Sequence, residues 1–207
     1  MKHFMSFFDN EQDCLKAILQ IHNSNNDIDL DPMFFKGGFY KNGVNVPKLI
    51  FDIKPRLLFC PEGNAESLNI SSESIQCMIL DPLFMFEKRN RKQNNYTATT
   101  MGIINGFEEL QRHYIAILTE SHRILKNNGI LIFKCQDYTD AKTTMTHCFV
   151  FKWATELGFY AKDLAILNIP QAKIYNSNTT QRHLRKTHCY FWVFQKKETK
   201  NENKEPN

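Results

Sequence analysis

The clearest structural signal in the chain is SIQCMILDPLFMF, residues 74–86. An apolar run leads to an acid at Asp81, a proline at Pro82, and then Leu83, Phe84, Met85 and Phe86. The pattern predicts a buried strand over 75–80 whose end presents a carboxylate and a ring. In open α/β sheets ligands sit at that end of the strands. A carboxylate there accepts a hydrogen bond from an amino group, proline fixes the chain, and Phe84 offers a face for a flat ring to stack on. A strand ending in an Asp-Pro turn over core phenylalanines accounts for each residue separately, so the flanking sequence has to decide.

Downstream, NGFEELQRHYIAILTESHRILK (residues 105–126) puts Phe107, Leu110, Tyr114, Ile117, Leu118 and Leu125 on one stripe, predicting a helix ended by Asn127, Asn128 and Gly129. GILIFKC then predicts a strand, 143–157 a helix, and 162–167 and 187–195 two strands. Only a polar, basic segment separates these last two, so they are expected to pair antiparallel at one sheet edge. Upstream, residues 11–22 read as an amphipathic helix, and 49–53 and 57–60 as short buried strands. This alternation implies a sheet with helices on both faces.

At 207 residues the chain is expected to form one domain over 1–195, followed by a disordered, charge-rich tail over 196–207. The 42% hydrophobic content, with 17 Phe and 7 Tyr, fills one sizeable core and excludes a wholly disordered or collagen-like chain. No apolar run reaches the ~18 residues of a membrane span, and the first ten residues do not read as a secretory signal, so a soluble, cytoplasmic protein is expected. Six cysteines without CxxC spacing argue against zinc or a disulfide framework, and nothing in their context suggests a nucleophile. The net charge of +4 is too mild to settle nucleic-acid binding, so placement of the charges matters.

Asp81, Pro82, Leu83 and Phe84 resemble the catalytic tetrad of the class I S-adenosylmethionine-dependent methyltransferases that modify amino groups of DNA bases, in which Asp or Asn is followed by Pro, Pro and an aromatic residue. ILTESHRILKNNGILIFK is similar to the helix, turn and fifth strand of that family. DPMFFKGGFYK, KCQDYT and RKTHCYFWVFQKK look like a subgroup of small enzymes carried by phages and mobile elements. The resemblance spans residues 29–194. It implies a Rossmann-like α/β sheet with an antiparallel last strand, and transfer of a methyl group from S-adenosylmethionine to adenine N6 or cytosine N4. Asp81 would hold the target amino group and Phe84 would stack on an extruded base. Catalysis would rest mainly on positioning. Leu83 replaces the usual second proline, which loosens the loop and leaves a weakened activity open.

For the cofactor the resemblance points to Asp31, Gly37 and Gly38 in place of a glycine-rich first motif, to Asp52 for ribose hydroxyls, and to Asn64 and Glu66 for the adenine amino group. A plain Gly-Gly turn accounts equally well for the first of these, and a surface acid before Pro55 for the second. DPMF at Asp31 duplicates DPLF at Asp81, and permuted enzymes exist, but only the second tetrad is followed by the expected helix and strand.

Lys88, Arg89, Arg91 and Lys92 follow the tetrad, and Arg182, His183, Arg185, Lys186 and His188 precede the last strand, where they would neutralise phosphates. Each run alone reads as a solvated loop. Gln136 and Asp137 either border the substrate or cap the next helix. His113, His122 and His147 have no partners at metal spacing and read as ordinary helix residues. The expected reaction is methylation of an exocyclic amino group, adenine N6 in DNA first, an RNA base second. The alternative is a silent nucleic-acid-binding or regulatory protein on the same fold.

Overall fold

The computed structural model describes residues 3–86, 104–139, 142–169, 180 and 182–198. Nine strands occur among them: β1 (Phe7–Phe8), β2 (Leu30–Asp31), β3 (Leu49–Ile50), β4 (Ile75–Leu80), β5 (Leu125–Cys135), β6 (Tyr138–Thr139), β7 (Thr143–Thr144), β8 (Phe159–Asn168) and β9 (His188–Lys196). The run 75–80 is β4, as its buried apolar pattern requires. It lies within a seven-stranded sheet of order β1-β8-β9-β5-β4-β2-β3, while β6 and β7 form a separate antiparallel pair. Strands β2, β3, β4 and β5 run parallel, and β9 is antiparallel to both β5 and β8. The antiparallel ending therefore holds, although β9 sits inside the sheet and β8 borders the two-residue β1.

Side-chain alternation assigns the two faces. Met78 and Leu80 of β4, with Leu131 and Phe133 of β5, pack under helices α2 (Phe107–Ile124) and α3 (Thr146–Glu156), against Leu110, Tyr114, Ile117, Val150 and Trp153. Cys77, Ile79, Ile130 and Ile132 pack on the other face under α1 (Glu11–His22), against Cys14, Leu15, Ile18 and Leu19. Helix α1 starts at Asn10, whose side chain accepts from Asp13 N. The buried apolar side chains carry most of the favourable free energy, at ~1.5–3 kcal/mol each relative to exposure.

Several expected boundaries move. Residues 57–60 form no strand: Pro55 and Pro61 bracket them, Cys60 N donates to Leu57 O in a turn, and Leu58 and Phe59 point outward. The strand expected over 49–53 shortens to Leu49–Ile50: beyond it Asp52 Oδ1 accepts the nearby Lys54 N–H in a turn and Oδ2 accepts the Phe35 N–H from the segment after β2. Helix α3 begins three residues later than the pattern suggests, since Thr143–Thr144 pairs with Tyr138–Thr139. Lys126–Gly129 bulges between α2 and the paired part of β5; a Cβ on Gly129 would lie 2.8 Å from Lys126 O. At the other end, Lys196 belongs to β9 and is buried, its Nζ donating to Leu125 O and Glu73 Oε1, so the ordered chain extends past 195. Residues 199–207 lie outside the described residues.

Candidate active site

The carboxyl ends of β2, β3 and β4 converge on a cleft of about 270 Å³, lined by Met33, Phe35, Asp52, Asn64, Asp81 and Phe84 among others. Asp81 follows Leu80 directly, so the β4 alternation puts its carboxylate on the α1 face of the sheet. Lys134, placed on the same face by Ile130 and Ile132 of β5, meets it there: Nζ lies 3.1 Å from Asp81 Oδ2 and 2.9 Å from Glu11 Oε1 at the start of α1. The ammonium also lies 4.9 Å from the centre of the Phe39 ring. Asp81 Oδ1 makes no hydrogen bond to any described residue, and the side chain keeps 28% exposure toward the cleft.

Burial pushes the Asp81 carboxyl above its ordinary value, and Lys134 pulls it back down. Burial likewise disfavours charge on Lys134, but Asp81 and Glu11 outweigh it and hold the ammonium protonated. Two carboxylates and one ammonium leave the cluster one negative charge, beside a largely apolar wall.

The loop after Asp81 is fixed from outside. Tyr114 of α2, fully buried, donates its hydroxyl to Leu83 O at 2.9 Å, and Leu83 packs against the core. Leu83 therefore does not leave the loop loose: a side-chain hydrogen bond anchors the residue that stands in for a second proline. Phe84, half-buried, lines the cleft with its ring.

The turn after β2 departs most from expectation. Asp31 is 1% exposed and does not line the cleft; it accepts from Tyr40 Oη at 2.6 Å and Met33 N at 2.9 Å. Burial raises its carboxyl to about 7 despite those two bonds. Gly37 and Gly38 do not line the cleft either. They form a turn in which Gly37 takes φ +66° and a Cβ would strike the Phe34 ring at 2.7 Å. That turn returns Tyr40 to Asp31. The residues of this segment that line the cleft are Pro32, Met33 and Phe35, the last held at φ +49° by donating its N–H to Asp52 Oδ2 at 2.9 Å. A bulky side chain in the left-handed region costs roughly 1–2 kcal/mol and is retained where surrounding structure enforces it.

Asp52 and Asn64 line the cleft. Glu66 is turned to His113 Nδ1, 2.6 Å away, and His113 itself lines the cleft, so this histidine is not an ordinary helix residue. Sequence reasoning missed Lys134, Glu11 and Phe35, and it set His113 aside as an ordinary helix residue. Lys134 left a readable signal, a single cation inside the apolar strand ILIFKC. Phe35 left none.

Lys88, Arg89, Arg91 and Lys92 lie outside the described residues. Arg182 and Arg185 are exposed and Lys186 is half-buried; Gln136 ties this segment to the end of β5 by donating to His188 O at 2.9 Å and Lys186 O at 3.4 Å. Asp137 does not line the cleft but accepts from His147 N at the start of α3. Among the described residues no group of three or more His, Cys, Asp or Glu side chains is arranged to hold a metal ion, and no helix is long and apolar enough to cross a membrane.

No family model matches the sequence, and no curated protein matches it. Solved structures do. The 1,6-didemethyltoxoflavin-N1-methyltransferase of Burkholderia thailandensis, with bound 1,6-didemethyltoxoflavin and S-adenosylhomocysteine, matches 92% of this chain and 80% of its own at 11% identity and TM-score 0.52. The cytosine-N4-specific PvuII DNA methyltransferase matches at 14% identity and TM-score 0.48, covering 64% of this chain and 47% of that one. A Thermus thermophilus protein assigned as a DNA modification methylase matches at 13% identity and TM-score 0.46, covering 70% and 54%. The chain spans about half the length of the latter two. At these identities the likeness establishes the fold alone: a Rossmann-like α/β sheet with an antiparallel β9.

Proposed function

We propose that the chain is an S-adenosylmethionine-dependent methyltransferase acting on an exocyclic amino group of a nucleobase, with adenine N6 in DNA as the first substrate and an RNA base as the second. One observation carries the reading: Asp81, whose Oδ1 makes no hydrogen bond to any described residue, shares a single cleft with Phe84 at the carboxyl rim of the sheet. A carboxylate accepts and cannot donate, so it favours N–H over a carbonyl partner. Phe84 supplies the stacking face for a planar heterocycle.

The residues present fit the cofactor in part. Asp52 has two carboxylate oxygens, each with one lone pair beyond its backbone bond, to accept ribose hydroxyls, and Asn64 offers a side-chain amide. Phe35, Met33 and Ile53 furnish apolar wall. When bound, S-adenosylmethionine supplies an electrophilic methyl group. Asp81 orients the amino nitrogen through its N–H and takes up the proton that nitrogen releases, bringing the three-residue cluster to neutrality. Pro82 and the Tyr114–Leu83 hydrogen bond hold the loop so that orientation persists. Arg182, Arg185 and Lys186, with Lys88, Arg89, Arg91 and Lys92, supply cations for phosphates and give salt-sensitive affinity.

A second reading, a silent binding protein on this fold, draws on Gly37 and Gly38 standing outside the cleft. Tritium transfer from labelled cofactor to DNA and to total RNA, with calorimetry of cofactor binding, separates the two. The enzyme reading expects transfer that Asp81→Ala abolishes while cofactor affinity stays within about threefold, since the residue acts on the acceptor. Absence of binding at millimolar cofactor would overturn it, and binding without transfer to either polymer would favour the silent protein.

A further inference from the structure

Five of the six cysteines are buried; Cys148, near the start of α3, is exposed. Its Sγ lies 3.3 Å from Nε2 of His147. The other ring nitrogen, Nδ1, lies 2.7 Å from Asp137 Oδ1, whose side chain is 2% exposed. A carboxylate accepts only, so Nδ1 carries the proton and Nε2 is left as the acceptor facing the thiol. Orientation is fixed twice more. The His147 ring stacks on Tyr190 with centres 4.2 Å apart, and Asp137 also accepts from His147 N at 3.2 Å and from Tyr190 Oη at 3.4 Å. His188 Nε2 in turn contacts Tyr190 Oη at 2.9 Å. None of Asp137, His147 and Cys148 lines the cleft around Asp81.

Thiol, imidazole and buried carboxylate in this order are a nucleophile, a base and the group that orients the base. We propose that Cys148 is a modification site for soft electrophiles, hydroperoxides in particular, activated by His147 and Asp137. His147 Nε2 takes the thiol proton as Sγ attacks the distal peroxide oxygen. An S–O bond forms and the O–O bond breaks. Sulfur is oxidised by two electrons, the peroxide oxygen is reduced, and His147 returns the proton to the departing hydroxide or alkoxide. The products are a sulfenic acid and water or an alcohol. Solvent exposure of the thiol gives such reagents access, and the burial of the other five cysteines confines the reaction to this one.

The test uses the native full chain with iodoacetamide, and with hydrogen peroxide followed by dimedone, reading each cysteine by peptide mass spectrometry. Cys148 is expected to be alkylated about tenfold or more faster than free N-acetylcysteine at the same pH, a modest share of what a positioned base contributes. It is also expected to be the only residue trapped as sulfenic acid. His147→Gln, which keeps a polar side chain on the helix, and Asp137→Asn are each expected to bring the rate down to the free-thiol value. Circular dichroism identifies a variant that has unfolded, because its five other cysteines then label too. Alkylation of wild-type Cys148 at the free-thiol rate, or an unchanged rate in folded His147→Gln, would overturn the proposal.

Discussion

Replacing Lys134 by methionine tests the electrostatic core of the candidate site. Methionine keeps an unbranched apolar stem and removes the ammonium together with its bonds to Glu11 and Asp81. The ammonium stands 3.1 Å and 2.9 Å from two carboxylate oxygens and is 15% exposed. At an effective dielectric of ~20 each contact is worth about 5 kcal/mol of Coulomb energy, against several kcal/mol for desolvating the ammonium. Removing one partner of such a cluster costs roughly 3–5 kcal/mol, because Asp81 and Glu11 are left facing each other. For a chain of this size that lowers Tm by about 6–20 °C, measured by scanning calorimetry at pH 7.5. Adding Glu11→Gln removes one orphaned carboxylate and is expected to recover part of the loss. The sign of the pH effect follows from the cluster. Burial already raises the Asp81 carboxyl and Lys134 opposes that rise, so without the ammonium Asp81 keeps its proton to higher pH. The acid limb of the transfer rate then moves to higher pH, whereas a purely structural loss would scale the whole profile down. A Tm within about 2 °C of wild type together with an unshifted acid limb would refute the reasoning.

Tyr114→Phe removes the donor to Leu83 O and leaves a carbonyl unsatisfied, for a loss of about 1–3 kcal/mol in urea unfolding and a fall in transfer rate with cofactor affinity unchanged. Asp31 has a folded value of about 7 against an ordinary 3.8, so its contribution is full below pH 4 and is lost as pH rises to 7. Asp31→Asn removes that dependence, and relative to wild type its stability is expected to improve by on the order of 4 kcal/mol between pH 4 and pH 7.5; parallel stability curves would contradict this. Glu120 is buried, accepts from Leu68 N and pairs with Arg123, which also donates to the carbonyls of Leu68 and Ile70. Arg123 beside it holds the Glu120 carboxyl below its ordinary range. Glu120→Ala leaves Leu68 N without its acceptor and is expected to cost about 1–3 kcal/mol by urea titration, with local loosening of residues 66–72 seen by hydrogen exchange.

What was legible in the sequence followed from how locally each signal is determined. Helix α1 and strand β4 match their expected limits to the residue, because a periodic apolar pattern ended by Asn10 or Asp81 needs no distant partner. Residues 57–60 carry the same apolar content, but two prolines and an outward-facing Leu58 defeat it, and burial is a tertiary property that composition does not encode. In the site, Asp81 and Phe84 share the cleft because they follow β4, and Asp52 because it follows β3; Asn64 reaches it from the connection between β3 and β4. Gly37 and Gly38 misled for a physical reason. A positive φ serves a ligand loop and a plain turn equally, and here the turn delivers Tyr40 to Asp31. Residues 88–92 lie outside the described residues, so the first basic cluster rests on sequence alone.

Under the proposed function, the departure at Leu83 bears on how the loop after Asp81 is held. Two consecutive prolines restrict backbone torsions from within, by ring closure. Here one proline remains, and the second constraint comes from the hydroxyl of a fully buried tyrosine one layer below, on a helix that also packs against β5. The two devices differ in what they depend on. Ring constraint survives loosening of the core, whereas the Tyr114 hydrogen bond holds only while α2 stays seated on the sheet. Orientation of Asp81 and Phe84 is therefore coupled to the packing of Tyr114 against Phe133 and Trp153. It follows that Trp153→Ala, far from any acceptor, lowers the transfer rate as well as stability, and that Leu83→Pro in that background restores rate without restoring stability. Recovery of both together, or of neither, would show that the loop does not take its rigidity from the helix.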